Sequence, residues 1–399
     1  MDYTRGLPVG SGSYRSGQQP LISQWVRKPL GNRSSLVVNS NVINIKNKKE
    51  VVAKVNKTVV STVFQDENVI STACNMVKVS PRKVIHSTHC IDKEQPVIAK
   101  EISKYTTYVE ASYSSHILPL VTDVDAQDTG LPLLVSEYVQ DIYQHLWYLE
   151  TQHRVPEGFL QGQKVSSWMR STVIDWLIQL QVGLSLLPET LYLTASIIDR
   201  YLSIEIKTPS DQLQLLAVTA MFIASKYEET QAPELGTYAY LTDDSFSKKD
   251  IIKMELTILT ALKGYVSFPL PIQFLRRNSK VGGVGTATHT LSKYLLELCL
   301  TEYAFSHVYA SLQAAAALCL SLKLLGGQEW TANLAYYSGY TEANLLPTMC
   351  RMAGVLKRSH SSKYQAARTK YASDTLMRIS LIPHLKSKYI LKLASKITN

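Results

Sequence analysis

Few side chains in this chain stand at spacings that do chemistry. His86, His89 and Cys90 could start a transition-metal site, because imidazole nitrogen and thiolate sulfur are the usual zinc ligands. No second ligand cluster stands at metal spacing, so the triplet reads as part of a polar segment. The cysteines are Cys74, Cys90, Cys299, Cys319 and Cys350, an odd number without a CxxC pair. That gives no support to a disulfide framework or a four-cysteine site. There is no Walker A motif, no HExxH and no GxSxG. Gly282-Gly-Val-Gly285 is too short for a phosphate loop and lies between helical segments. No enzyme activity, metal or cofactor is expected.

Charge placed inside apolar patterns is more informative. Leu213 to Ala224, LQLLAVTAMFIA, is apolar almost all round, which predicts a helix in the middle of a domain. Lys226 follows on the azimuth of Leu215 and Phe222, an odd place for an ammonium. In the segment after Ser247, Ile251, Ile252, Met254, Ile258, Leu259 and Leu262 make one apolar arc, and Glu255 lies inside it. An isolated buried charge is too costly. Either Lys226 and Glu255 pair internally, or both heads reach a surface and bond a partner's backbone. Met169, Val173 and Trp176 share a third face at i, i+4 and i+7, flanked by Arg170 and Asp175. That stripe is core packing or an exposed groove for a short apolar peptide.

The elements that must hold these residues are legible from their start signals. Pro188-Glu189 opens a helix through TLYLTASIIDRYLS, Pro233-Glu234 repeats the pattern, and Ser247-Lys-Lys-Asp250 fits a capping box. Helical periodicity runs nearly throughout from about Tyr105, and PLPIQF at Pro269–Phe274 is a natural joint between two blocks. Each block carries about five helical segments, a normal domain size.

At 399 residues, with 45% hydrophobic and 19% charged residues, the chain has room for two folded domains and a tail. Residues 1–104 hold sixteen Lys and Arg against seven Asp and Glu, a balance of +9. The remainder carries +1 of the formal +10. The stretch is poor in Leu and aromatic residues, so a disordered basic tail is expected. A nucleic-acid-binding domain would carry its excess on a folded face. No window approaches eighteen consecutive apolar residues and the first twenty lack an apolar signal region, so an intracellular protein without a membrane partner is expected.

MRSTVIDW, LLPETLYLTASIIDRYLS, LQLLAVTAMFIASKYEE, APELGTYAYLTDDSF and IKMELTILTAL resemble the successive helices of a cyclin box, in the family's order and spacing. FPLPIQFLRRNSK, SLQAAAALCLSLKLL and KYASDTLMRISLIPHL resemble the C-terminal domain of mitotic B-type cyclins, and LPLLVSEYVQDIYQHLWYLE their N-terminal helix. The resemblance covers about Asp123 to Leu385. It implies an all-α fold of two tandem five-helix cyclin-box domains: a tail over 1–104, a linker over 105–135, a first domain over 136–265 with its preceding helix at 136–150, and a second over 266–390. It also implies a regulatory subunit that binds and activates a cyclin-dependent serine/threonine kinase at the G2/M transition. An A-type or B3-type cyclin is the near alternative. A cyclin-fold transcription factor is the distant one, opposed by the near-neutral folded region.

By resemblance, Lys226, Glu228 and Glu255, with Tyr138 and Ile142 of the N-terminal helix, contact the kinase. Arg170 and Asp199 form a buried ion pair. Met169, Val173, Trp176, Gln179, Leu213 and Gln214 line the groove for Arg-x-Leu peptides of substrates and inhibitors. Thr172 and Val173 stand where Ile or Leu is usual, and Gln179 where an acid is usual, so weaker docking is expected. Ser210 stands where a basic residue is common, and Gly264 where an aromatic is usual. In the tail, Arg33, Leu36 and Asn41 fit the destruction box read by the mitotic ubiquitin ligase, with Arg27 and Leu30 as an overlapping frame. Ser80-Pro81-Arg82-Lys83 has the form of a proline-directed phosphorylation site, and Lys46-x-Lys48-Lys49 that of a short import element. Residence in nucleus and cytoplasm is expected.

Overall fold

Local start signals open many of the helices in the computed structural model, which describes residues 121–396 apart from 129, 131–133 and 327. Every regular element among the described residues is helical, so the all-α expectation holds. The metal triplet, both destruction-box frames, Ser80 and the basic cluster at Lys46–Lys49 lie outside the described residues.

Helix α1 (Val139–Gln152) comes first. It starts three residues later than the sequence pattern suggested, with Tyr138 at its cap position. The first domain follows as α2 (Ser167–Gly183), α3 (Pro188–Ile204), α4 (Leu213–Glu228), α5 (Leu235–Leu241) and α6 (Lys248–Ala261). Pro188 is the first residue of α3, where its missing N–H costs nothing. Ser247 and Asp250 exchange side-chain and backbone bonds as a capping box at α6. At α5 the proline signal was displaced: Glu234 is the cap and Pro233 lies outside.

Helix α4 is the axis of the first domain. From Leu213 to Ser225 all its residues except Phe222 are buried, and α2, α3, α5 and α6 pack around it. A helix without a polar face can sit nowhere else.

The second domain repeats this logic with α7 (Pro271–Val281), α8 (Thr286–Thr301), α9 (Ala310–Leu325), α10 (Ala332–Ser338) and α11 (Glu342–Arg358). Its axis is α9, buried without a break from Ala314 to Leu322 and packed by α7, α8 and α11. Alanines there let the neighbouring helices approach closely. Two helices complete the chain: α12 (Ala366–Lys370), packed on α2 of the first domain, and α13 (Lys388–Ser395), packed on α11. Helix α13 was not foreseen, although Ile390 and Leu393, three apart, are its buried face.

The two domains are joined by polar contacts as well as by chain. Ser171 Oγ donates to Thr301 O at 2.6 Å, and Leu160 N–H donates to Tyr303 Oη at 2.8 Å. Tyr364 Oη donates to Trp168 O at 3.1 Å.

Candidate functional site

Lys226 occupies the last turn of α4, and Glu255 the middle of α6. Because these helices pack side by side, the two side chains meet as an ion pair, Nζ to Oε1. The ammonium also lies 4.0 Å from the centre of the Phe222 ring, a cation–π contact. Phe222 in turn packs on Tyr238 with ring centres 5.2 Å apart. Lys226 keeps 42% of its side chain exposed and Glu255 17%. The pair therefore stands at the surface, with the ring behind the lysine explaining its apolar azimuth. The two heads are paired in the free chain, and the lysine keeps a face toward solvent.

The surface beside this pair is apolar. On α6, Ile252 is 52% and Leu256 68% exposed; with Glu255 they share one face at i, i+3 and i+4. This corrects the apolar arc read from the sequence, which took Ile252 as inward-facing. Only Ile251, Met254 and Ile258 of α6 are buried. Tyr227, next to Lys226, is exposed as well. Glu228 is half-buried, and burial first, then repulsion from Glu189 and Glu229, pushes its carboxyl above the usual range. Glu229 accepts from Leu187 N–H and Thr190 Oγ1, so this end of α4 is fixed to the start of α3.

Tyr138 and Ile142, one turn apart at the start of α1, are exposed. The ties of α1 run to the second domain. Tyr143 Oη donates to Gln273 O at 3.0 Å, and the Tyr143 and Trp147 rings both lie against Phe274. Glu150 accepts from the Ser311 hydroxyl and from Ser311 N–H at the start of α9. Burial pushes its carboxyl up to about 7. The structure thus brings Lys226 and Glu255 together and places Tyr138 and Ile142 on a separate element.

Arg170 and Asp199 meet as a buried bidentate pair, Nε to Oδ1 at 2.6 Å and Nη2 to Oδ2 at 2.7 Å. The remaining nitrogen, Nη1, donates to Leu300 O of the second domain at 3.1 Å. Such a pair fixes geometry at a desolvation cost and is strongly felt only when one partner is removed.

The stripe on α2 divides. Val173, Leu213 and Gln214 are buried, while Met169, Trp176 and Gln179 are half-buried. The accessible part of the groove is therefore these last three. Gln179 Nε2 donates to Asp175 at 3.3 Å, and Asp175 also accepts Ala366 N–H at the start of α12 at 2.9 Å. Burial raises the Asp175 carboxyl to about 6. Sequence reasoning saw Asp175 only as a flank of the stripe and missed Glu150 altogether. Both act on helix starts of the other domain, far along the chain, with no local pattern to announce them.

The known proteins that this chain is similar to fall in one family. The family model "Cyclin, N-terminal domain" matches residues 141–267, and "Cyclin, C-terminal domain" matches residues 269–385. The G2/mitotic-specific cyclin-B of Patella vulgata is 48% identical over 276 residues, covering 69% of this chain and 67% of that one. The G2/mitotic-specific cyclin-B1 of Xenopus laevis is 45% identical over 282 residues, 70% of this chain and 71% of that one. The G2/mitotic-specific cyclin-B of Hydra vulgaris is 41% identical over 368 residues, 91% of this chain and all of the other. With both cyclin domains matched in order and relatives at this identity, the chain belongs to the cyclin family, in its B-type, G2/mitotic branch.

Proposed function

We propose that this chain is the regulatory subunit of a cyclin-dependent serine/threonine kinase and activates it for entry into mitosis. The observation that carries the reading is the Lys226–Glu255 pair, held at the surface beside exposed Ile252 and Leu256 on the first domain. A kinase is active only when its β3 lysine is paired with the glutamate of its αC helix. A rigid helical face that packs better on the inward αC position shifts the population toward it by the difference in binding free energy. Lys226 and Glu255 then bond kinase backbone at the centre of that face, and Tyr138 and Ile142 extend the contact from α1. The cyclin supplies binding energy and none of the chemistry.

The groove at Met169, Trp176 and Gln179 takes Arg-x-Leu peptides of substrates and inhibitors, weakly for want of an acid at 179. The tail supplies removal: the mitotic ubiquitin ligase reads Arg33, Leu36 and Asn41, or the overlapping Arg27 and Leu30 frame. Phosphorylation of Ser80 puts about two negative charges into a basic stretch and tunes residence between nucleus and cytoplasm.

The test is to mix the full chain with monomeric mitotic cyclin-dependent kinase and measure phosphorylation of a histone-type substrate. Strong stimulation is expected. A Lys226→Ala/Glu255→Ala variant is expected to keep its thermal transition and lose on the order of 2 kcal/mol or more of association energy, as central anchors do. If the native chain neither binds nor stimulates any such kinase, the reading fails, and salt-dependent DNA affinity is the next measurement.

A further inference from the structure

The residues ahead of α1 are held by the second domain. Thr122 and Asn333 are joined twice: Thr122 N–H donates to Asn333 Oδ1 at 3.0 Å, and Asn333 Nδ2 donates to Thr122 Oγ1 at 2.7 Å. Tyr337 Oη donates to Thr122 O at 3.3 Å and accepts from Val124 N–H at 3.4 Å. Asp125 takes both terminal nitrogens of Arg277, each at 2.5 Å, and Lys280 Nζ at 2.8 Å. Lys280 pairs with Asp128 as well.

The Arg277–Asp125 pair is buried, with side chains 5% and 6% exposed. A buried bidentate pair is geometrically demanding in a way that an exposed ion pair is not. Arg277 holds the Asp125 carboxyl below the usual range against the opposing effect of burial. The guanidinium is also flanked by two rings, its carbon 5.0 Å from the centre of Tyr337 and 5.6 Å from that of Tyr143. Tyr143 belongs to α1, so one guanidinium holds the segment with its fork and touches α1 with its flat side.

Along α1 the ties are uneven. Glu150 fastens the far end to Ser311, and Tyr143 and Trp147 pack in the middle. The first turn carries exposed Tyr138 and Ile142, and Tyr143, next in the chain, lies beside Arg277, which Asp125 holds. We propose that residues 122–128 form an anchoring strap, and that Asp125, acting through Arg277 and Tyr143, is a positioning residue that fixes the first half of α1 for contact with the kinase. The strap stands on the contacts above, and its consequence for the kinase rests on the proposed function.

Two full-length variants test it. Asp125→Asn weakens the buried pair, and Asn333→Ala removes only the exposed bonds to Thr122, so the second stays folded even where the first does not. Amide hydrogen exchange across α1, α4 and α9 is measured beside titration of kinase activity. Expected is about tenfold faster exchange in the first half of α1 for Asp125→Asn and a smaller rise for Asn333→Ala, with α4 and α9 unchanged. The cyclin concentration for half-maximal activation rises several-fold, while activity at saturation is kept. Unchanged α1 exchange in both variants overturns the proposal. A parallel rise in α1, α4 and α9 also overturns it, because the pair is then a general stability contact. If faster α1 exchange leaves the activation titration unmoved although the native chain activates, the strap stands and its positioning role falls. If the native chain does not activate a kinase, the proposed function falls and the exchange result alone decides the strap.

Discussion

Buried ionisable side chains are where single residues matter most in this molecule. Asp199 gives both carboxylate oxygens to Arg170, inside the first domain. Replacing it by Asn leaves a buried guanidinium with a neutral partner and Leu300 O only. Asp199→Asn is expected to lose roughly 3–5 kcal/mol in urea unfolding, the usual result of breaking a buried pair on one side. A loss below about 1 kcal/mol would mean that water or carbonyls replace the carboxylate. Glu150 acts in a pH window. Burial raises its carboxyl from 4.5 to about 7, so the folded chain holds its proton where the unfolded chain has released it. The group's contribution is greatest below pH 4.5, falls as pH rises toward 7, and is level above that. Unfolding of the native chain and Glu150→Gln between pH 5 and 8 should show the native chain gaining on the variant as pH falls. Parallel curves would refute this. Lys226 and Glu255 were visible in the sequence because each is a charge inside an apolar pattern. Asp125, Glu150 and Asp175 were not, because their partners stand 152, 161 and 191 residues away.

At the scale of the element, local rules set most of the starts. Pro188 and the Ser247–Asp250 box work as read, and the apolar run of α4 identified the axis of its domain. The reading failed where a signal was one step off or of unfamiliar type. Ile252 follows buried Ile251 and so falls about 100° round the helix, outside the buried arc. Helix α11 begins with a capping box of Thr341 and Asn344, in which Asn344 Oδ1 accepts Thr341 N–H at 3.0 Å and Asn344 N–H donates to Thr341 Oγ1 at 3.4 Å. Asn in place of Glu or Gln hid it from the usual pattern. Thr341→Ala should cost about 1 kcal/mol of stability by chemical denaturation, and no change would mean that packing of α11 on α9 and α13 holds its start unaided.

The described residues form two repeats of one plan, each a helix bundle around a single buried axis. They are not independent. Arg170 and Ser171 of the first domain donate to Leu300 O and Thr301 O of the second, and Asp175 accepts Ala366 N–H. Polar groups buried this way are costly when their partners are absent. Calorimetry of the full chain should therefore show one cooperative transition for the folded region, and residues 134–268 alone should show none. Two separate transitions would mean that the junction adds little. The charge distribution was legible from composition, whereas the junction was not, because its bonds join main-chain atoms to side chains without sequence periodicity.

The strap precedes the first domain in the chain yet docks on α7 and α10 of the second. Asp125 and Arg277 are 152 residues apart. At roughly 5–20 residues per second, the ribosome needs about 8–30 s to travel between them. For that interval α1 has neither Phe274 nor Ser311 to settle on. The earliest described residues thus wait for the second domain before they can dock, and a chain cut short before Phe274 leaves the ribosome with α1 unseated.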